Sequence, residues 1–296
     1  MTRPDRTWLP VGLLLAHLGA LVFGLVGILV MLPNPDLWAH DPRAVRVFDW
    51  SMEHAGATHI ILGAAAMFAF GVLALGWRKT TIFAVVSIGL SLGSELIGTG
   101  TGWPFGNYAY TDFLGAKVLG RVPYTIPLSW FYMGLASYLL GAVLADRLRL
   151  GRPAVWAVIL GTWFLTVWDL VLDPAMAHES LRIQFWVWDE SGAYLGMPVR
   201  NFVGWSLTGL LFMAISRLLW GADIDPARTP MRFPFVVYAA NLAFAMVLSA
   251  GVGLWMPIVL SAVLGLVPAA YALWPRRRPP APAPTLRWSQ GWSPDA

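Results

Sequence analysis

Apolar residues run along this chain in long blocks, with the polar residues gathered between them. Eight blocks lie at about 8–32, 57–77, 80–98, 124–146, 153–172, 201–220, 233–250 and 254–274. Each approaches the roughly 20 apolar residues that a helix needs to cross a bilayer. The pattern predicts an all-α, polytopic integral membrane bundle of eight transmembrane helices with no separate soluble domain. One membrane-embedded domain is expected over 1–275, with its core within 57–220. A disordered, basic, Pro-rich cytoplasmic tail is expected over 276–296. The first block is followed by Pro33-Asn34-Pro35 rather than a small-residue cleavage site, so it reads as a retained span and not a signal peptide.

Composition strengthens that reading. Of 296 residues, 57% are hydrophobic and 12% charged, against roughly 25% charged in soluble domains. The 17 tryptophans exceed what a core requires and suit membrane interfaces, where an apolar ring with one N–H is at home. With eight spans and an inner N-terminus, 14 of the 20 Lys and Arg residues fall on inner segments. The positive-inside rule then puts both termini in the cytoplasm. There is no cysteine, which excludes disulfides and thiolate chemistry.

Three outer segments, about 33–56, 99–123 and 173–200, are dense in Gly, Pro, Trp, Tyr and Phe. Such composition suits backbone folded back to line a cavity, where its polar groups can be satisfied. Glu95 is followed within a few residues by Gly98-Thr99-Gly100-Thr101-Gly102-Trp103-Pro104-Phe105-Gly106-Asn107-Tyr108-Ala109-Tyr110. It is not a phosphate loop, because no Gly-Lys-Ser/Thr follows and the helix precedes the glycines. In Trp168-Asp169-Leu170-Val171-Leu172-Asp173-Pro174 the two carboxylates are four residues apart and share one helix face. Pro174 is expected to end that helix. An ionisable residue inside a span is costly and marks a cavity or a partner. A third run, from Phe185 to Trp205, brings Tyr194, Asn201 and Trp205 near the start of the sixth span. Each of these runs also has a plainer reading as an interfacial aromatic belt or a water-boundary helix end.

Histidine argues by its spacing. His17, His40, His54, His59 and His178 include no pair three or four apart, so a histidine-box metal oxygenase is not expected, and no metal or cofactor is assigned. No nucleotide or flavin fingerprint appears, and no basic aromatic patch suggests nucleic acid. What remains is a lipid-buried cavity with carboxylates and aromatics. A carboxylic acid in an apolar site can stay protonated near neutral pH and protonate an alkene. Aromatic faces then stabilise the tertiary carbocation.

These segments resemble the bacterial carotenoid 1',2'-hydratase family (CruF type), often described as carotenoid biosynthesis proteins. The resemblance is carried by Glu95 with Gly100 to Tyr110, by Val122-Pro123-Tyr124-Thr125-Ile126-Pro127-Leu128-Ser129-Trp130, and by Trp168 to Pro174. It continues through Gly192-Ala193-Tyr194-Leu195-Gly196-Met197-Pro198 to Asn201, Phe202, Gly204 and Trp205, and covers about residues 55–220. It implies addition of water to the terminal double bond of an acyclic ψ-end carotenoid such as lycopene or γ-carotene, giving a tertiary 1'-hydroxyl. The family is also distantly similar to membrane lycopene cyclases. The expected roles follow. Asp169 or Glu95 donates the proton. Trp103, Tyr108, Trp168 and Trp205 stabilise the cation. Asp173, Asn201 and Tyr194 orient water. Phe105, Asn107, Tyr110 and Trp130 complete the substrate site. The expected partners are a carotenoid, the lipid of a bacterial inner membrane and other carotenoid-pathway enzymes. Oligomeric state is left open. The rival readings are a lycopene cyclase-like isomerase, a prenyltransferase using Asp169 and Asp173, and a non-catalytic carotenoid or lipid binder.

Overall fold

The computed structural model describes residues 7–221, 224–226 and 229–275. The tail expected over 276–296 lies outside them. Among the described residues, eight helices are long and apolar enough to cross a membrane: α1 Trp8–Met31, α2 Pro42–Ala74, α3 Trp77–Thr101, α4 Thr125–Arg147, α5 Pro153–Met176, α6 Arg200–Trp220, α7 Arg232–Gly251 and α8 Trp255–Leu273. The chain is therefore a multi-pass membrane protein, as the hydrophobic blocks predict. Four short strands are added: β1 Tyr108–Tyr110, β2 Lys117–Val118, β3 Val122–Pro123 and β4 Trp186–Trp188.

α4 is the axis of the bundle. It packs against α2, α3, α5 and α7 and is buried along nearly its whole length. Small residues make this possible, because helix association in lipid depends on close packing. A Cβ on Gly141 would stand 2.5 Å from the Gly161 nitrogen, so α4 and α5 touch backbone to backbone. Hydroxyl pairs tie α6 to its neighbours: Ser94 with Thr208 at 2.9 Å and Thr166 with Ser206 at 3.1 Å. α1, by contrast, leaves Leu15 and Val22 exposed on its outer surface.

The segment 33–56 departs from expectation. It is not a folded-back aromatic loop, because from Pro42 it is already α2, a helix of 33 residues. At 1.5 Å per residue that is about 50 Å, longer than the ~30 Å hydrocarbon layer. Asp41 caps it, accepting the Arg43 N–H at 2.8 Å, and Pro42 occupies the first turn. Arg43, Arg46, Asp49 and Glu53 form an exposed stripe along the added turns, which is why hydropathy alone does not reveal them.

The other two long segments do fold back. β1 pairs antiparallel with β4, Tyr108 opposite Trp188 and Tyr110 opposite Trp186. β2 pairs with β3. The loops between successive odd–even helix pairs share one end of the bundle, so the β1–β4 ribbon covers the ends of α3, α5 and α6. A ribbon satisfies its backbone internally where lone irregular chain would not.

Candidate active site

A cavity lies beneath the β1–β4 ribbon. Strand alternation sends Tyr108 and Tyr110, Trp186 and Trp188 to one face, and all four line it. α3 supplies Glu95, α4 supplies Ser129, Trp130 and Tyr132, and α5 supplies Trp168, Leu172, Asp173 and Met176. Asn201 and Trp205 come from α6. Among the described residues, no Lys or Arg lines this cavity.

Two groups of carboxylates stand there in different surroundings. Glu95 is 2% exposed. Its Oε1 accepts the Trp130 indole N–H at 3.0 Å, and its Oε2 accepts the hydroxyls of Tyr108 and Tyr110, the latter at 2.9 Å. Burial, and next the adjacent Glu95, hold both phenols well above the ordinary tyrosine value. They are therefore hydroxyl donors throughout the working pH range. Asp169 and Asp173, one turn apart on α5, are 1% and 3% exposed. A single amide joins them, the Asn201 Nδ2 donating to Asp169 Oδ2 at 2.9 Å and to Asp173 Oδ2 at 2.6 Å. Asp169 Oδ1 is buried with no protein partner, as are the indole N–H groups of Trp168 and Trp188.

Around these acids the aromatic rings form a cage. Trp130 and Trp205 stack with centroids 3.9 Å apart, Trp168 meets Trp205 edge-on at 5.8 Å, and Tyr108 lies 5.1 Å from Trp188. Phe105 is clamped between two glycines: a Cβ on Gly98 or on Gly204 would fall 2.7 or 2.5 Å from its ring. The glycines of α3 and α6 thus serve ring packing at these positions.

Of the residues expected at the site, Glu95, Phe105, Tyr108, Tyr110, Trp130, Trp168, Asp173, Asn201 and Trp205 line one cavity. Asp169 stands directly behind, held through Asn201. Three lie elsewhere. Trp103 is 64% exposed and is not among the walls of the cavity. Asn107 is exposed, and its backbone N–H and Nδ2 approach Glu190 at 3.3 and 3.4 Å. Glu190 also forms a double contact with Arg200. Asn107 is thereby a tie between the ribbon and α6.

Tyr194 has a structural cause for its position. Pro174 does not end α5, which continues to Met176. A proline within a helix leaves the carbonyl four residues earlier without its N–H donor. That carbonyl is Leu170, and the Tyr194 hydroxyl donates to it at 3.0 Å. Burial pushes this phenol up to about 12, with Asp169 adding to the effect. Tyr194 thus ties the loop to the end of α5 and is not among the walls of the cavity.

The sequence reading missed the far wall. His59 and Ile60 of α2, and Asn241 and Phe244 of α7, also line the cavity, so its walls reach beyond 57–220. Behind them a buried polar chain joins four helices. The Tyr132 hydroxyl donates to Asn241 Oδ1 at 2.8 Å, Asn241 Nδ2 meets His17 Nε2 at 3.0 Å, and His17 Nδ1 meets the His59 carbonyl at 2.7 Å. The only signal in the sequence was a polar residue inside each of several apolar runs. Trp186 and Trp188 were missed as well, although their period-2 spacing around Val187 was a signal for a strand.

No solved structure matches this chain. It is similar to the bisanhydrobacterioruberin hydratase of Haloarcula japonica, with 31% identity over 258 residues, covering 83% of this chain and 80% of the relative. The family model for carotenoid biosynthesis proteins matches residues 55–268, a stretch that contains every wall of the cavity and both carboxylate groups. The chain belongs to the carotenoid biosynthesis protein family.

Proposed function

We propose that the protein hydrates the terminal 1',2' double bond of an acyclic ψ-end carotenoid of the lycopene or γ-carotene type. The observation that carries the reading is the Asp169–Asn201–Asp173 cluster. Two buried carboxylates bridged by one amide, with no cation beside them, are best accommodated with a proton between them, because like charges at close quarters cannot both persist in an apolar site. Asp173 lines the cavity and delivers that proton to C2'. The positive charge then sits on C1', a tertiary centre, inside the cage of Trp130, Trp168 and Trp205.

Water adds to C1' through its oxygen, and its released proton passes to Glu95. The three donors on Glu95 suit a carboxylate that accepts. Tyr110 donates to Glu95 and stands within electrostatic reach of Asp173, so it is the group through which the proton returns to the pair. One H and one OH are added across the double bond, and the enzyme is unchanged. The unpartnered Asp169 Oδ1, Trp168 N–H and Trp188 N–H are the acceptor and donors that an ordered water requires.

The absence of Lys and Arg from the cavity walls disfavours the prenyltransferase reading, since a diphosphate needs cationic partners. Expression in a lycopene-accumulating host decides among the others. Pigment gaining the mass of one water per hydrated end supports hydration. An isomer of unchanged mass identifies a cyclase, and unaltered pigment that copurifies with the protein identifies a binder.

A further inference from the structure

A second cavity lies between α1 and α2 and shares His59, Met176 and Phe244 with the first. We propose that it holds the polyene chain of the carotenoid whose end group occupies the catalytic cavity; this rests on the hydration reading. Its walls are of the matching chemistry. Phe23, Ile28 and Met31 of α1 face Val47, Phe48 and Met52 of α2, and Phe113 and Phe185 close the side toward the ribbon. Trp38 and Phe48 stack at 4.0 Å, and Phe113 meets Phe185 edge-on at 6.4 Å, so flat aromatic surfaces line the route. A conjugated chain is stiff and apolar, and such surfaces suit it.

The polar groups of the second cavity are few. Asp41 caps its own helix through the Arg43 N–H, and the Ser51 hydroxyl donates to the Val47 carbonyl at 2.6 Å. Among the described residues, Asp41 is the one carboxylate in its walls, and it is engaged at the start of its own helix, next to Arg43. The third cavity offers a contrast. It adjoins the first at Trp188, but His178, Glu179, Gln184, Asp189 and Glu190 are among its walls. That lining suits water and not a hydrocarbon rod. The extra turns of α2 beyond a bilayer's thickness thereby gain a purpose: they build the outer wall of the chain site.

Positions 44, 48, 51, 55 and 59 form one stripe of α2 at spacings of three and four, and all line the second cavity. A bulky residue at Ala55 closes the route just before His59, and Ala20→Phe narrows it from α1. Lycopene is added to purified protein carrying Asp173→Asn, which allows binding without turnover, and its visible absorption and induced circular dichroism are recorded. Adding Ala55→Phe or Ala20→Phe is expected to weaken lycopene binding by about tenfold or more, corresponding to ~1.4 kcal/mol. With Asp173 intact, either change is expected to lower the ratio of lycopene to 2,6-dimethyloct-2-ene hydration by a similar factor, because the short alkene needs only the end-group cavity. Lycopene binding and the ratio both unchanged in the two variants would overturn the proposal. So would a phospholipid that copurifies in this cavity and is not displaced by lycopene. A protein that binds lycopene with the expected sensitivity to Ala55→Phe but adds no water would keep the chain site and refute the hydration reading.

Discussion

Glu95 on α3 and the Asp169–Asp173 pair on α5 are buried acids around one cavity, yet their neighbours differ. Glu95 receives three donors, one of them the Trp130 indole, which can only donate. The pair shares one amide between two carboxyl groups, Asp173 also accepts the Trp186 indole N–H, and among the described residues Asp169 Oδ1 has no protein partner. Burial alone therefore does not assign a role. The pairing of the carboxyl groups does: two that share one amide hold a proton between them that can be given, while a single carboxylate with three donors is suited to accept. The comparison turns one class of residue into an acid and a base.

The largest effect is expected from removing the acid. Asp173→Asn preserves the shape and keeps a polar partner for Asn201, but it cannot donate a proton to an alkene. Hydration of lycopene should fall by about 10²–10⁴-fold, the usual worth of a positioned general acid. Glu95→Gln should also slow hydration, but at a later step. In deuterated water, Glu95→Gln should still incorporate deuterium into the end group of recovered, unhydrated carotenoid, because protonation continues and the cation collapses back to alkene. Asp173→Asn should incorporate none. If the two variants exchange labels in the opposite pattern, the acid and the base are reversed. Product mass and isotope content of the pigments are the measurements.

The bridge comes next. Asn201→Leu removes the amide from both aspartates at similar volume and leaves their oxygens without donors. A loss of about tenfold to a hundredfold in turnover is expected, together with a lower thermal midpoint, since each buried acceptor left unsatisfied costs about 1–3 kcal/mol. Asn201→Asp keeps the volume and adds a third acid where the donor stood, so it should be no better. Retention of full activity by Asn201→Leu would show that the pair needs no organising amide.

Much of this arrangement is visible in the sequence, and the reason differs by residue. Asp169 and Asp173 could be paired because a helix repeats its face every four residues. Glu95 stood out because a charge near the end of an apolar run is costly. Tyr108 and Tyr110 could be grouped through strand alternation. Trp103 was misassigned because an aromatic residue in a loop carries no period, and its direction is set by the turn around it. Pro174 was read as a stop because only the folded chain brings Tyr194 to the orphaned Leu170 carbonyl. His59, Asn241 and Phe244 reach the cavity only through helix packing between α2, α4 and α7, which local spacing does not encode. The early start of α2 was hidden by its charged stripe, although Asp41-Pro42 marked it.

The relay on the base side should be less sensitive than either acid. Tyr110→Phe removes a hydroxyl that touches Glu95 and stands within electrostatic reach of Asp173, whereas Tyr108→Phe removes one that touches Glu95 and the Tyr110 hydroxyl. A larger loss for Tyr110→Phe, on the order of tenfold against a few-fold, would fit a proton returning through it. The phenols also give a pH test. With both held well above the ordinary tyrosine value, they contribute no pH dependence of stability below the usual tyrosine range. Above it the unfolded chain ionises where the folded one does not, so stability should decline as pH rises. Ultraviolet titration of the folded protein should show these two phenols still protonated at pH values that ionise exposed tyrosine.

The smallest effect belongs to the tie that holds the ribbon over both acids. Glu190 accepts Arg200 at 2.5 Å and the Asn107 backbone N–H at 3.3 Å, and the Arg200 contact, above all, holds its carboxyl below the usual glutamate value. A depressed carboxylate contributes stability that is present above its unfolded value and is lost as pH falls through the folded one. The contact is open to solvent, and such exposed ion pairs are weak. Glu190→Gln should therefore leave hydration within about twofold at neutral pH. Its signature should instead be a flattening of the stability profile on the acid side, because the substituted ribbon has no carboxylate there to lose. A wild-type profile that already matches Glu190→Gln at low pH would mean the ribbon is held by the β1–β4 pairing and its aromatic contacts alone. The geometry of both acid groups would then be independent of the cover above them.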